Sequence, residues 1–292
     1  MNTVFCYGEM LWDMLPDGPQ PGGAPLNVAY HLSKMGIAAG IISRVGADDN
    51  GTSLIELATQ WGLNADFIQT DDLKDTSKAV AKMNGTEVTY DILQNVAWDF
   101  IETNAAIKKE VKAAPYLIYG SLASRNEVSR DSLFELLSIG NTNVFDVNLR
   151  APHYTRDILE KLLTAADIVK FNQDELGIVY GFYFNEDADE SAKVAFIMSE
   201  FAIAEVLVTK GAHGASYYNA GGAWHVSSFQ ISVADTIGSG DSFLAAFIAN
   251  HSKGENPGTT LRKAMAMGCF IATKKGGCPD YNLNDYQLFL NQ

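Results

Sequence analysis

The chain has 292 residues, with 21 Lys and Arg against 35 Asp and Glu, a formal net charge of −14, and 47% apolar residues. That apolar share excludes a disordered chain, and the acidic balance excludes the basic surface a nucleic-acid partner needs. The longest apolar runs, such as residues 243–249, fall short of the roughly 18 residues of a membrane span, the first ten residues lack a signal-like basic start, and Cys6, Cys269 and Cys278 suggest neither a disulfide framework nor a metal site, so a reduced, cytoplasmic protein without a membrane partner is expected.

Taken in chain order, short apolar or β-branched runs predict strands over residues 3–7, 39–43, 116–119, 143–147, 168–171 and 205–209. Helical periodicity is expected over 26–35, 53–61, 131–138, 157–164 and 190–200, with two closing helices near 242–250 and 261–274. Strands alternating with helices imply crossover connections and a mostly parallel sheet covered on both faces, an α/β fold. One stretch breaks the rhythm. Residues 79–83 and 86–92 are strand-like and flank Asn84-Gly85, a pair suited to a tight hairpin turn. The hairpin reads equally as a protruding lid or as an antiparallel edge of the main sheet. No linker rich in Pro, Gly or Ser divides the chain, and the acidic run 186–190 reads as solvated surface.

The strongest local feature is DTIGSGD, residues 235–241, running into the apolar helical stretch SFLAAFIAN. Gly238 and Gly240 allow a turn whose free N–H groups converge at a helix start, where the helix dipole adds positive potential, a site suited to phosphate. Asp241 at the same mouth would repel phosphate, yet it is well placed to take a proton from a hydroxyl that attacks one. The plainer reading is a helix cap made by Ser239 or Asp241. In GGAPLNVAYHLSKMG, residues 22–36, Pro25 suits a first helical turn and Gly36 a helix stop, and Asn27 either faces a ligand or only caps the helix or is solvated. GEMLWD (8–13), FDVNLR (145–150) and FNQDE (171–175) sit at predicted strand ends, where open parallel sheets bind ligands, so Asp13, Asn148, Arg150, Asn172 and Glu175 could share one crevice. TKGAHGA, 209–215, is a glycine turn that either packs on a nucleotide or forms a hairpin into residues 216–219.

Several chemistries are absent from the sequence. No Gly-Lys dipeptide occurs, which excludes a Walker A loop, and no HRD or DFG occurs, which excludes a protein-kinase core. No HExxH or paired histidine spacing suggests a metal cage, and no GxSxG elbow appears.

Jointly these motifs resemble the ribokinase-like (PfkB) family of carbohydrate kinases, closest to its bacterial fructokinases. The resemblance rests on Gly22-Gly23-Ala24-Pro25-x-Asn27-x-Ala29 followed by Gly36 and Gly46, and on Asp235-Thr236-x-Gly238-x-Gly240-Asp241. Asn172-x-x-Glu175 and Thr209-Lys210-Gly211-x-x-Gly214 follow in the family's order, so the likeness covers the whole chain. It implies a ribokinase-like α/β fold over residues 1–292: a mostly parallel central sheet with helices on both faces plus a small β-sheet lid, drawn from about 9–21 and 79–98. It also implies a homodimer.

The resemblance implies ATP-dependent phosphorylation of a sugar hydroxyl, fructose first, giving fructose 6-phosphate. Asp241 would be the general base, and the amides of Gly238, Ser239, Gly240 and Asp241 the anion hole. Asp13, Gly23 and Asn27 would meet the sugar, with Asn148 and Arg150 beside them. Asn172 and Glu175 would organise Mg²⁺ and phosphates through water, and Thr209, Lys210, Gly211 and Gly214 would pack on the nucleotide. Many members also hold a monovalent cation; Asp235, Ile237, Ile271, Lys274, Gly276 and Asp280 match that K⁺ region. Two departures stand out: Ser239 where the family usually has Ala, and Leu26 where many fructokinases carry a small residue, so that Leu26 either narrows the sugar pocket or faces the core. The alternatives are another family activity, a 2-keto-3-deoxygluconate kinase or a ribokinase, with Arg150 as the cation for a sugar acid, or a non-catalytic binding regulator.

Overall fold

A computed structural model describes residues 2–15, 18–84 and 87–292, with 80–84 and 87–91 as backbone. Its strands are β1 (Val4–Tyr7), β2 (Leu11–Leu15), β3 (Gly18–Gly22), β4 (Ala39–Gly46), β5 (Ile68–Asp71), β6 (Ser77–Asn84) and β7 (Glu87–Ile92). They continue with β8 (Tyr116–Gly120), β9 (Thr142–Asp146), β10 (Ile168–Asn172), β11 (Glu205–Thr209), β12 (Ala215–Asn219) and β13 (Gly222–Val226). The helices are α1 (Ala24–Lys34), α2 (Asp49–Gln60), α3 (Ala105–Ala113), α4 (Glu127–Leu137) and α5 (Arg156–Thr164). After them come α6 (Gln173–Tyr180), α7 (Glu190–Phe201), α8 (Ser239–His251), α9 (Pro257–Ala272) and α10 (Leu283–Leu290).

The large sheet has the order β13-β12-β11-β10-β9-β8-β1-β4-β5. From β11 to β5 every pairing is parallel, while β12 and β13 add an antiparallel edge. Strand periodicity divides the core: Val4 and Cys6 of β1 enter one hydrophobic layer, and Phe5 and Tyr7 enter the other. The first layer packs under α1, α2, α8, α9 and α10, the second under α3 to α7. The chain order reverses between β8 and β1, so a crevice opens beyond the carboxyl ends of these strands.

The predicted hairpin does not sit at an edge of this sheet. β6 and β7 pair antiparallel, with Asn84 opposite Glu87, inside a separate four-stranded sheet of order β3-β2-β6-β7. Gly85 of the expected turn lies outside the described residues. The second expected lid segment runs too far, because Ala97–Phe100 is a 3₁₀ turn of the large body with Trp98 wholly buried. The face of that ring is covered by the Arg125 guanidinium, 3.9 Å from its centre.

Asp48 ties the two sheets together. It caps α2 by accepting from the Gly51 amide at 2.8 Å, and its second oxygen accepts from the Thr76 amide, just before β6, at 2.8 Å. Burial pushes its acid constant up, but the hydrogen bonds from Thr76 and Gly51 outweigh it and hold the carboxyl below its ordinary range. Asp48→Ala is therefore expected to lower stability by about 1–2 kcal/mol at neutral pH, read as a lower urea midpoint. Because the folded group is the stronger acid, its contribution is present above the unfolded carboxyl range and fades as pH falls through the folded one. The deficit of the variant should shrink in acid, and a pH-independent deficit would remove the charge from this account.

Candidate active site

A cleft of about 590 Å³ lies along the carboxyl ends of β1, β8, β9, β10 and β11, with Leu11, Asp13, Ala79 and Ile92 of the small sheet forming its opposite wall. One end is closed by the turn into α8. Gly238 adopts φ 72°, and an added Cβ would stand 2.7 Å from the Gly277 backbone, so glycine is required there on two counts. Of the turn's four amides, that of Ser239 donates to the Thr236 carbonyl at 3.2 Å, while those of Gly238, Gly240 and Asp241 have no acceptor among the described residues. The Ser239 hydroxyl points away, donating to the Gly268 carbonyl of α9 at 3.0 Å. The expected four-amide hole is thus three open amides, and Ser239 takes part only in packing the turn.

Asp241 stands at this mouth. Its Oδ2 accepts from the Asn27 side-chain amide at 2.8 Å, across 214 residues of sequence. Burial and repulsion from Asp146 push the carboxyl up to about 6, against the Asn27 hydrogen bond and the charges of Lys170 and Arg150. Asn27 is neither a plain cap nor a wholly free ligand: its carbonyl oxygen accepts from the Cys278 thiol at 3.2 Å, leaving one amide proton without an acceptor among the described residues. Gly23 (φ 108°) has a reason the sequence did not show. A Cβ there would lie 2.3 Å from the Glu9 carbonyl oxygen, so glycine is needed for α1 to start against β1's end. Leu26 is fully buried and faces the core, not the cleft.

The other end of the cleft is acidic. Asp13 is pushed up to about 6 by burial and by Asp241. Glu9, which belongs to no sequence motif with a chemical signature, is 3% exposed, accepts from the Ala24 amide at 3.2 Å, and is pushed up to about 7, mainly by burial. Arg150 is exposed at the rim, with its guanidinium on the Leu149 carbonyl at 3.1 Å, and Asn148 lines the wall in a left-handed conformation (φ 37°).

Asn172 and Glu175 form a reciprocal cap on α6. Asn172 Oδ1 accepts the Glu175 amide at 2.8 Å, and Glu175 Oε2 accepts the Asn172 amide at 2.7 Å. Glu175 Oε1 also accepts the Leu149 amide at 3.0 Å, so both carboxylate oxygens already carry backbone donors. Burial pushes its acid constant up against the opposing charge of Lys170.

The glycine turn after β11 forms the hairpin. It links β11 to β12 antiparallel, with Thr209 opposite Ala215, and Gly211 and Gly214 line a second groove of about 300 Å³. This groove is apolar, walled by Phe229, Ile231, Val233, Phe243 and Met265, and shares Thr209, Thr236 and Gly240 with the first. Lys210 departs from expectation: its ammonium turns to Glu190 at 3.2 Å and Ser216 at 2.6 Å and lines neither cavity. The buried cation in the cleft is Lys170, which no motif singled out, paired with Asp146 at 2.8 Å. The signal was available as a lone lysine inside the apolar run of β10.

The expected K⁺ region is assembled only in part. Asp235 accepts the amides of Ile237 and Gly276, each at 3.0 Å, joining the two loops. The Ile271 carbonyl accepts the Lys274 amide, and the Lys274 ammonium lies over the Phe270 ring. Asp280 points outward, 98% exposed, to Lys34 at 2.9 Å. Its side chain therefore does not join the others. Among the described residues no three His, Cys, Asp or Glu side chains converge as a metal cage.

Residues 18–282 match the model of the pfkB family carbohydrate kinases. A fructokinase-2 of Oryza sativa subsp. japonica is 28% identical over 309 residues, covering 95% of this chain and 90% of the relative. A fructokinase of Escherichia coli is 29% identical over 265 residues, covering 85% of this chain and 84% of that one. Among solved structures, a Vibrio cholerae fructokinase with fructose, ADP and calcium bound superposes with a TM-score of 0.86 at 24% identity, over 99% of both chains.

Proposed function

Since the chain belongs to the pfkB family of carbohydrate kinases, and so is an ATP-using phosphotransferase, we propose that its acceptor is fructose, phosphorylated at the 6-hydroxyl with Asp241 as the general base. The observation that carries this is Asp241 itself, set at the start of α8 among open amides and held by Asn27 from the far end of the sequence. In the transfer, the sugar hydroxyl loses its proton to the Asp241 carboxylate as its oxygen bonds phosphorus. The amides of Gly238, Gly240 and Asp241 receive the charge on the phosphoryl oxygens, and positioning plus such stabilisation suffices for this chemistry. The apolar groove beside Gly240 suits the purine, and the small sheet serves as the lid that keeps water from competing as acceptor.

The residues fit Mg²⁺ only at a distance. Both Glu175 oxygens hold backbone amides, so the ion would be carried by phosphates and water with Glu175 and Asn172 around it. When bound it neutralises charge on the phosphates. The acidic sugar end favours a neutral polyol over a sugar acid, whose carboxylate would face Glu9 and Asp13, with Arg150 exposed at the rim and Lys170 already paired with Asp146.

An ADP-coupled assay with fructose, ribose and 2-keto-3-deoxygluconate tests this. Fructose should lead in kcat/KM by about tenfold or more, as polar-pocket discrimination allows, and chelation of divalent metal should abolish turnover. Preference for the sugar acid would overturn the neutral-substrate reading. ATP binding without turnover on any sugar would point to a binding regulator.

A further inference from the structure

Lys170 sits in the middle of β10, where the neighbouring positions 168, 169 and 171 are all buried. A charge in such a strand is costly to bury unless paired. Its pair is Asp146, directly opposite in the β9–β10 register, with nitrogen and oxygen 2.8 Å apart and both side chains under a tenth exposed. Burial alone would drive the lysine toward its neutral form, yet the carboxylates of Asp146, Glu175 and Asp241 outweigh it and keep the ammonium charged.

A pair serving only the sheet has no reason to meet the cleft. This one does: Lys170 lines it, and its nitrogen lies 3.4 Å from where a Cβ on Gly240 would stand, against the amide turn that opens α8. An ammonium has three protons to donate, and the bond to Asp146 uses one. The cation is therefore fixed and desolvated at the place where phosphoryl charge develops, the arrangement in which a charge contributes most.

We propose that Lys170 is a catalytic residue, whose ammonium, seated by Asp146 beneath Gly240, touches the phosphoryl group during transfer. The inference rests on the kinase reading above. As the sugar oxygen–phosphorus bond forms and the bond to the ADP oxygen breaks, the electron pair leaves on ADP and the hydroxyl proton goes to Asp241. Lys170 keeps its own protons and only donates hydrogen bonds to phosphoryl oxygens. Gly240 is then glycine because a side chain there would come between the ammonium and that group.

Lys170→Met alone leaves Asp146 buried without its partner and threatens folding, so it is tested beside Lys170→Met/Asp146→Asn. Two readouts are needed on the full-length protein: steady-state kinetics with ATP and the best sugar, and thermal protection by ADP alone against ADP–aluminium fluoride, a planar mimic of the moving phosphoryl. The double variant should lose about 10²-fold in kcat, the size seen for a single charge-stabilising donor, with KM for the sugar within about threefold. ADP should still protect it, while the added protection from aluminium fluoride should disappear. A folded double variant within tenfold of the wild-type kcat, protected like the wild type, would overturn the assignment. Failure of the wild type to phosphorylate any sugar would instead overturn the kinase reading, so the two failures are distinct.

Discussion

Asp241→Asn is expected to reduce kcat by about 10²–10⁴-fold, the usual contribution of a general base, with both KM values little changed. Asparagine preserves the shape at the start of α8 and can still bond Asn27 after an amide flip, so the fold and the amide turn survive while the proton acceptor is lost. In the wild type, kcat/KM should rise with pH through about 6, where the buried carboxyl ionises. Asp13 titrates near the same value and Glu9 near 7, so the acid limb should be broader than for one group. Asp241 also raises both of these neighbours, so its removal should lower their acid constants as well. An Asp241→Asn enzyme with wild-type kcat would remove Asp241 from the chemistry.

The same substitution should make the protein harder to unfold. A carboxyl whose folded acid constant is raised holds its proton more tightly in the native state, so native stability declines as pH rises from the unfolded value near 4 toward about 6. Asparagine is spared that decline. The variant should melt higher than the wild type at pH 7–8, and the gap should close below about pH 4. Loss of activity together with gain of stability marks a group kept for chemistry at the fold's expense.

How far the sequence could be read depended on whether an element's meaning was local. β11 was predicted to the residue because all its signal lies in one apolar run with polar ends. β3, with two prolines and two glycines in five residues, carries no strand signal, and it exists because it lies at the edge of the small sheet where missing donors are tolerated. α6 was hidden because its eight residues include Gly177 and follow a strand without a gap. In the site, Asp13, Asn27 and Asp241, each singled out from its own motif, line one cleft. Spacing failed for Lys170 and Asp146, which are 24 residues apart and become partners only through the parallel register. It misplaced Lys210, whose turn was read correctly but whose side chain had a closer partner in Glu190.

Those two lysines change how a chain of net charge −14 accommodates a phosphate ligand. The cation does not come from a flexible side chain reaching in from the glycine turn. If Lys170 meets the phosphoryl group as proposed, it comes from one held rigid in the sheet, so little order has to be gained when nucleotide binds. The cost falls on folding, in a buried pair that must be built whether or not nucleotide is present. At the start of α8 the three open amides and the Lys170 ammonium stand beside the carboxyls of Asp146 and Asp241.

Gly238→Ala is expected to cut kcat by about 10²–10³-fold, the range for loss of aligned oxyanion donors, and to lower stability by about 2–3 kcal/mol, through strain at a left-handed position plus a collision. The collision is with backbone: a Cβ would stand 2.7 Å from the Gly277 Cα and carbonyl oxygen, neither of which can rotate away. Gly277 in turn abuts the Asn27 side chain, Gly276 holds Asp235, and Cys278 holds Asn27. Relief by moving that loop therefore displaces the residue that positions Asp241, and relief by moving the turn misaligns the amides. Gly254→Ala separates the two causes, because Gly254 is also left-handed (φ 68°) but has open space around its missing Cβ. It should cost only about 1 kcal/mol, the price of the backbone conformation, and leave kcat unchanged. If Gly238→Ala proves no worse than Gly254→Ala in either respect, the close contact between the two loops is not what shapes the site.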